Sequence, residues 1–205
     1  MVVKKYVLYT LILMFSVLFI GGCLSNSVDK QAADKQRVNI DNKAEIVKDK
    51  NELNENLVQK YKMDSSFILV VKNKFEVYAI DAMGKVLAVY PCALGKISGQ
   101  KEKEGDMKTP SGIFSIDEII DASSWSHDFK DGKGEIAGAY GPWFISLDTT
   151  NLSKGAWEGI GIHGTHDPNS IGKMVSEGCI RLKNDDVQQL KAFAKVGMKV
   201  VIVEE

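Results

Sequence analysis

Short runs of apolar residues, separated by polar turns, begin at about residue 66 and continue to the end of the chain. The first run is apolar throughout, and the second alternates so that Phe75, Val77 and Ala79 lie on one face of a strand. Short strands joined by tight turns are typical of a β-meander, which begins an antiparallel sheet. The pattern predicts strands at 67–71, 75–80, 86–90, 113–116, 143–147, 161–163 and 199–203.

One stretch of helical spacing lies near the C-terminal end of this region. Val187, Leu190 and Phe193 recur on one helix face. Asn184 or Asp185 stands just before them, where a polar side chain caps a helix N-terminus. A glycine shortly after them is typical of a helix end. Together, the patterns predict a mainly β fold, an antiparallel sheet or sandwich with about one helix.

The first 62 residues differ in pattern from the rest of the chain. An apolar stretch at 6–20 follows two lysines. It is shorter than the roughly 20 residues that a membrane-spanning helix needs, so it is typical of a signal peptide. Residues 24–62 then alternate acidic and basic side chains and contain too few apolar ones to form a core. They predict a polar tether with one short helix, where Leu53, Leu57 and Tyr61 recur at helical spacing.

The junction of these two segments, Ile20-Gly21-Gly22-Cys23, resembles the lipobox of bacterial lipoproteins. The resemblance implies that the preceding segment is cleaved off and that the Cys23 thiol carries a lipid. An uncleaved membrane anchor that runs on to Leu24 is the alternative. Both alternatives predict a protein of the cell envelope, attached to a membrane and facing away from the cytoplasm. The predicted boundaries are a signal peptide at 1–22, a lipidated tether at 23–62 and a domain at 63–205.

The charge of the chain argues against one class of partner. It has 26 basic and 27 acidic residues, a formal net charge of −1, and no run of five like charges. A protein that binds nucleic acid carries a basic patch or stripe, so no nucleic-acid partner is expected. The roughly 140 residues after the tether are enough for one domain with a proper core, but not for two.

The candidate chemistry lies within residues 162–182, where His163 and Cys179 stand 16 positions apart. A thiol with its ordinary pKa of about 8.5 is mostly protonated at neutral pH, so a nucleophilic cysteine needs a base or a positive charge nearby. His163 is a candidate base. Gly178 allows the chain to turn so that backbone amides face a developing oxyanion. The alternative is that Cys179 is a small core residue and His163 a hydrogen-bonded core histidine.

A wider pattern favours the catalytic interpretation. The sequence from His163-Gly-Thr to Ser176-Glu-Gly-Cys-Ile-Arg resembles the active-site signature of the L,D-transpeptidase (YkuD-like) catalytic domain family. The segment 108–114, with the pattern Lys-Thr-Pro-x-Gly-x-Phe, and the segment 90–96 also agree with that family. The resemblance covers about residues 66–204 and implies an L,D-transpeptidase-like fold, mainly β, with a helix after the cysteine.

The resemblance also implies a reaction. Cys179 would attack the carbonyl of the third residue of a peptidoglycan tetrapeptide stem, with His163 as the base. The carbonyl of Gly164 would orient the imidazole, and the amides of Gly178 and Cys179 would hold the oxyanion. Transfer of the resulting thioester to an amine of a second stem would give a 3-3 cross-link. The implied partners are peptidoglycan stem peptides, and no cofactor is implied.

One position departs from the family pattern. Many members carry a histidine where this chain has Glu177, immediately before Gly178. A carboxylate close to the thiol would raise the thiol pKa and reduce the thiolate fraction. The alternative is that Glu177 points away and pairs with Lys173 or Arg181.

Several other residues are candidates for contacts with the substrate. Arg181 is suited to bind the terminal carboxylate of the substrate, or else to pair with Glu177 or Asp185 as part of the scaffold. Ser176 and Thr165 are small polar residues near the two catalytic groups and are candidates for orienting hydrogen bonds. The segment between residues 115 and 143 is rich in glycine and aromatics and is expected to wall a substrate groove, with Trp125, Tyr140 and Trp143 as contacts or core residues and His127 at the surface.

The remaining cysteine and histidine residues raise two alternatives. An exported protein with two cysteines besides the lipidated one can join them in a disulfide. The catalytic interpretation requires a free Cys179 and places Cys92 in the core. His163 and His166 are three positions apart, but the neighbouring glycine and proline disfavour the helix that such a metal-binding pair needs. No third ligand follows at typical spacing, so no metal is expected.

Three functions are therefore compatible with the sequence. An L,D-transpeptidase is the leading interpretation. An L,D-carboxypeptidase, or another peptidoglycan hydrolase on the same scaffold, would form the same thioester and resolve it with water. The third is a lipoprotein that binds stem peptides without catalysis, a reading motivated by Glu177.

Overall fold

The computed structural model describes residues 56–205, which form a mainly β fold. The expected fold class is confirmed, since strands outnumber helices and one eight-stranded sheet dominates. Three α-helical segments accompany the strands among the described residues: part of α1 at residues 56–60, α2 at Thr150–Ser153 and α3 at Asn184–Phe193. Two short 3-10 helices lie at Lys72–Lys74 and Pro168–Ser170. The strands are β1 Phe67–Val71, β2 Glu76–Ile80, β3 Val86–Pro91, β4 Leu94–Gly95, β5 Gly112–Asp121, β6 Ser126–Asp128, β7 Glu135–Ala137, β8 Trp143–Asp148, β9 Gly161–His163, β10 Met174–Ser176, β11 Ile180–Arg181 and β12 Lys199–Val203.

The large sheet has the strand order β11-β9-β8-β5-β12-β1-β2-β3. The expected meander is present, because β1, β2 and β3 pair antiparallel in sequence order. The sheet as a whole is mixed, since β1 pairs parallel with β12 and β11 pairs parallel with β9. Two small two-stranded sheets, β4 with β10 and β6 with β7, complete the β structure of the described residues.

Strand β1 is buried on both faces, which explains why its sequence is apolar throughout. Ile68 and Val70 face the larger core cluster, which also contains Val187 and Leu190 of α3. The other face of β1 packs in a second cluster that includes Leu57 and Val58 of α1. A strand covered on both sides has no reason to alternate apolar and polar residues.

Helix α3 begins at Asn184, but the expected side-chain cap is absent. Lys183 occupies the N-cap position and makes no capping hydrogen bond through its side chain. The side chain of Asn184 instead accepts a hydrogen bond of 2.8 Å from the backbone N–H of Thr165. This contact ties the start of α3 to the loop after β9, so Asn184 serves the loop rather than the helix.

The predictions for the N-terminal segment lie mostly outside the described residues. These are the signal peptide at 1–22, the lipid at Cys23 and most of the tether. Within residues 56–205, no helix has the length and apolar character needed to cross a membrane.

The burial of α3 gives a test of the core. Leu190 is fully buried, whereas Leu152 in α2 is 43% exposed. We expect Leu190→Ala to lower the free energy of unfolding by about 2–5 kcal/mol, because it removes buried methyl groups and leaves a cavity. The matched change Leu152→Ala should lower it by less than about 1 kcal/mol. Urea unfolding of both variants measures the difference, and equal losses would contradict this description of the core.

Candidate active site

The parallel pairing of β9 with β11 brings the sequence-predicted groups together. Arg181 lies directly beside His163 in the register of the two strands. Cys179 lies immediately before β11, and its side chain lines the same pocket as Arg181. Ile162 and Ile180 point the opposite way and are fully buried in the core. The apolar neighbours therefore fix which way the chemical groups point.

These groups line one pocket of about 500 Å³. His163, Cys179 and Arg181 are all part of its wall. Ser176 and Tyr140, two of the expected substrate contacts, line it as well. Other parts of the wall come from distant segments of the chain, among them Lys101, Trp125, His127, Glu158 and Glu177.

His163 is held as a neutral imidazole. Its ring is 2% exposed and lies between Phe144, with ring centroids 5.5 Å apart, and Tyr140, at 4.9 Å. Its Nδ1 lies 2.7 Å from the carbonyl oxygen of Gly164, the contact expected from the sequence. Burial, with the nearby charge of Arg181 adding to it, lowers the His163 pKa to about 3. A neutral ring that donates from Nδ1 carries no proton on Nε2, which is the form a general base needs.

Cys179 is a protonated thiol in the resting site. Burial raises its pKa, and the neighbouring carboxylate of Glu177 acts in the same direction. A backbone hydrogen bond from Gly161 and the positive charges of Arg181 and Lys101 oppose that rise. The Sγ atom lies 3.3 Å from the carbonyl oxygen of Gly159, to which the thiol donates. At rest, the pocket therefore holds a thiol and a neutral imidazole in its wall.

The turn before Cys179 differs from the expected two-amide oxyanion hole. Ser176 Oγ donates to the Cys179 carbonyl oxygen at 2.6 Å and accepts from the Gly178 N–H at 3.1 Å. The Gly178 amide is therefore already engaged. Within residues 56–205 the Cys179 amide has no acceptor, so it is the donor this turn can offer to an oxyanion.

The backbone conformation and the close packing of this turn both require a glycine at position 178. Its φ is +139°, and a Cβ atom there would lie 3.0 Å from the carbonyl oxygen of Lys108. Thr109, from the Lys-Thr-Pro element, donates through Oγ1 to the Gly178 carbonyl at 2.8 Å and accepts from the Gly95 N–H at 2.9 Å. This motif is 69 positions away in sequence from Gly178, yet it holds the turn of the candidate nucleophile.

The loop after His163 is held by close backbone packing. A Cβ atom on Gly164 would lie 2.9 Å from the Cα of Gly141, so the two glycines approach closely. Thr165 is buried and donates its N–H to Asn184. Thr165 Oγ1 accepts from the N–H of Asp167, and the residue is not part of the pocket wall. The structure thus gives Thr165 a scaffold position rather than a contact with the pocket.

Arg181 is a buried cation without a counter-ion. It is 6% exposed, and its guanidinium lies over the ring of Phe129, 4.9 Å from the centroid. Its Nε is buried without a hydrogen-bond partner, and within the described part of the chain it forms no salt bridge. The alternative pairing with Glu177 or Asp185 is absent. A buried guanidinium normally pairs with an anion, so the site lacks a negatively charged group at this point.

Glu177 is instead paired with His127. The His127 Nε2 lies 3.1 Å from the Glu177 carboxylate, and its Nδ1 lies 3.2 Å from the hydroxyl of Tyr140. The expectation that His127 is a surface residue is therefore wrong: the β6–β7 hairpin carries it into the wall of the pocket. Sequence position gave no sign of this contact, because 50 residues separate His127 from Glu177.

Trp143 lies outside the pocket. It packs against the main core cluster, and the Nζ of Lys191 lies 4.3 Å from its ring centroid. The neighbouring aromatic Trp125 lines the pocket and packs edge-on against Tyr140, with centroids 5.5 Å apart. Of the three aromatics proposed for the groove, the structure brings Trp125 and Tyr140 to the site and leaves Trp143 away from it.

The family assignment rests on a match across the whole domain. The model of the L,D-transpeptidase catalytic domain, named YkuD, matches residues 65–202. The chain belongs to this family. L,D-transpeptidases are cysteine-dependent acyltransferases that act on peptidoglycan stem peptides.

Individual relatives agree with that assignment. The chain is 31% identical over 137 residues to the L,D-transpeptidase YqjB of Bacillus subtilis (strain 168), covering 67% of this chain and 71% of that one. It is 34% identical over 118 residues to YkuD of the same organism, covering 58% of this chain and 54% of YkuD. The chain thus spans about half the length of the YkuD relatives. The solved structure of Bd1075 from Bdellovibrio bacteriovorus is similar, with a TM-score of 0.50, 25% identity, and coverage of 68% of this chain and 48% of that chain.

Two other features of this L,D-transpeptidase domain bear on its chemistry. Both Cys92 and Cys179 are free thiols, and Cys92 is fully buried in the core cluster. No disulfide therefore occupies the candidate nucleophile. Across residues 56–205, no group of His, Cys, Asp or Glu side chains has the arrangement of a metal site.

The burial of neutral His163 predicts how stability depends on pH. In the unfolded chain this imidazole takes a proton near its ordinary pKa of 6.5, whereas in the folded L,D-transpeptidase domain it does so only near 3. The unfolded state binds more protons between these values, so stability falls as pH falls below 6.5. We expect wild type to lose about 1 kcal/mol more than His163→Gln between about pH 6 and pH 5.

Urea unfolding of both proteins at each pH measures that difference. His166→Gln removes an exposed imidazole from the same loop and serves as the control. If wild type and His163→Gln lost stability in parallel, the buried ring would not be neutral in the folded state.

Proposed function

We propose that the chain is a peptidoglycan L,D-transpeptidase that forms 3-3 cross-links through a thioester on Cys179, with His163 as the base. The observation that carries this proposal is one pocket that holds a thiol, a neutral imidazole and a buried guanidinium without a counter-ion. An acyl donor with a carboxylate beside its reacting carbonyl supplies what such a pocket lacks. A stem peptide that ends in D-alanine has that chemistry.

In the acylation step, Cys179 Sγ attacks the carbonyl carbon of the third residue of a donor tetrapeptide stem. The neutral imidazole of His163 takes the thiol proton as the S–C bond forms, so no free thiolate has to accumulate. The Cys179 amide donates to the developing oxyanion. The C–N bond to the terminal D-alanine then breaks. The imidazolium returns its proton to the leaving amine, and a thioester remains.

In the transfer step, an amine of a second stem attacks the thioester. His163 takes a proton from that amine, the C–S bond breaks, and the imidazolium protonates the departing sulfur. The product is an amide bond between two stems, and the enzyme returns to its resting thiol and neutral imidazole. The Nδ1 bond to Gly164 keeps the ring in one orientation through both steps.

Arg181 is proposed to bind the carboxylate of the donor stem. A planar guanidinium can form two parallel hydrogen bonds with a carboxylate, which fixes the peptide as well as attracting it. The aromatic face of Phe129 holds the guanidinium plane from one side. Binding of the donor would complete the missing charge pair inside the pocket.

The proposed reaction fits the location implied by the N-terminal sequence. Peptidoglycan lies outside the cytoplasm, and a lipid on Cys23 with a polar tether would hold the domain at a membrane facing its substrate. This attachment is a proposal from the sequence alone.

The first test incubates the full chain with a disaccharide-tetrapeptide and follows the products by mass spectrometry. We expect a cross-linked dimer and free alanine from wild type, and neither from Cys179→Ala. Cys92→Ala is the matched control and should keep activity, because that thiol is buried in the core. A monomeric tripeptide without dimer would mean an L,D-carboxypeptidase. Peptide binding without any thiol-dependent product would mean a binding lipoprotein.

A second prediction concerns Arg181. We expect Arg181→Gln to lower kcat/KM for the tetrapeptide by about 30-fold or more, the typical effect of removing one partner of a buried charge pair. Stability should not fall, since a buried cation without a partner does not stabilise the fold. A donor with an amidated terminal carboxylate separates the two possible roles. It should be poor for wild type and no poorer for Arg181→Gln, whereas a scaffold role predicts additive losses and a lower Tm.

A further inference from the structure

Lys101 is a buried cation beside the candidate nucleophile. Its side chain is 3% exposed, and the residue lines the same pocket as Cys179. A Cβ atom on Gly178 would lie 3.6 Å from the Lys101 Nζ, so the ammonium approaches the backbone immediately before the cysteine. The Nζ also lies 5.9 Å from the centroid of Trp157. The reaction steps described above do not use this group.

Asp106 holds Lys101 in place. The Lys101 Nζ lies 2.7 Å from Asp106 Oδ1, and the side chain of Asp106 is 8% exposed. The same carboxylate accepts backbone N–H bonds from Glu102 at 2.8 Å, Lys103 at 3.2 Å and Lys108 at 3.1 Å. Burial tends to raise the pKa of Asp106, but the hydrogen bond from Lys101 and the three backbone bonds together lower it. The loop from 101 to 108 thus closes around one carboxylate and presents one ammonium to the pocket.

The loop does not depend on the ammonium for its own hydrogen bonds. Three backbone amides already satisfy the Asp106 carboxylate, and burying an ammonium carries a desolvation penalty that a salt bridge often does not recover. Apolar side chains in place of both Lys101 and Asp106 would fill the same space without that penalty. A charge kept at this position therefore suggests a role in the pocket.

The charges around Cys179 define that role. Burial disfavours the thiolate, and the Glu177 carboxylate adds to this effect. Lys101 and Arg181 provide the nearby positive charge, but Arg181 is proposed to bind the donor carboxylate, which would neutralise it. The pocket also contains further ionisable groups on the surrounding elements, namely Glu104, His127, Tyr140, Glu158 and His163.

We infer that Lys101 is a positioning residue that stabilises the negative charge borne by the Cys179 sulfur during acyl transfer, while Asp106 fixes the ammonium and offsets part of its charge. This inference rests on the proposed role of Cys179 as the nucleophile. The inference gives the loop from 101 to 108 an electrostatic function. Once Arg181 has bound the donor carboxylate, Lys101 is the cation from this loop that still acts on the sulfur.

The test measures ionisation of the thiol directly, without substrate. The rate of alkylation of Cys179 by iodoacetamide is followed against pH in the full chain, with the modified peptide identified by mass. We expect Lys101→Met to move the midpoint up by about one pH unit and to slow alkylation at neutral pH by about tenfold. Lys101→Arg should stay near wild type, because it keeps the charge. Lys103→Met, at an exposed lysine in the same loop, is the matched control and should change nothing.

The variant Asp106→Asn is expected to shift the midpoint in the direction opposite to Lys101→Met. It removes the offsetting negative charge while keeping a side chain of the same shape, so we expect faster alkylation and a lower midpoint than in wild type. A merely structural role predicts that Lys101→Met and Asp106→Asn shift the midpoint in the same direction. That outcome, or a folded Lys101→Met with an unchanged midpoint, would overturn the inference. Should Lys101→Met fail to fold, Lys101→Arg and Asp106→Asn still decide: the first is expected to keep the wild-type midpoint and the second to lower it, and any other result for Asp106→Asn would overturn the inference.

The alkylation midpoint and the product analysis together distinguish failure of one proposal from failure of the other. If no cross-linked or trimmed product forms but the midpoint shifts as expected, the proposed transpeptidase activity fails and the electrostatic role of Lys101 stands. If product forms and the midpoint does not move, the activity stands and the role of Lys101 fails.

Discussion

The site depends on the register between β9 and β11. These strands place His163 beside Arg181, and Cys179 lies immediately before β11 in the wall of the same pocket. The alternate residues, Ile162 and Ile180, are fully buried in the core. A shift of one residue in either strand would turn the polar side chains into the apolar core and the isoleucines toward the pocket, so hydrophobic burial enforces the register. The geometry of the chemistry is therefore maintained by side chains that take no part in it.

The electrostatics of the pocket work against ionisation at rest. Burial keeps His163 neutral and Cys179 protonated, and the same low-dielectric surroundings strengthen any charge that appears during a reaction. Two buried cations, Lys101 and Arg181, line the pocket and can stabilise negative charge on the sulfur and on a substrate. A family member with histidine at the position of Glu177 would lack this negative charge near the thiol. Here that carboxylate is hydrogen-bonded to His127 instead of to either cation.

Much of the fold was predictable from short apolar runs, because each run is long enough to need burial. The expected strands at 67–71, 143–147 and 199–203 and the helix that follows Arg181 are all present. The mixed sheet was not predictable, since the parallel partner of β1 is a strand more than 120 residues later, and pattern says nothing about pairing at that distance. The two- and three-residue strands such as β4 and β11 are too short to have a period. Sequence pattern also could not predict that Lys101, Thr109 and His127 reach the site, because they come from segments that are far from Cys179 in the chain.

The position of β12 has a consequence for how the chain acquires this structure. The strand Lys199–Val203 is the last of the described strands in chain order, yet it lies in the interior of the large sheet, with β5 on one side and β1 on the other. Until it arrives, β5 and β1 have no common partner, and the two halves of the sheet cannot join. In a chain that emerges from its N-terminus first, the large sheet therefore cannot be completed before β12 has been made. Until then the strands on either side of β12 are held only by their other neighbours.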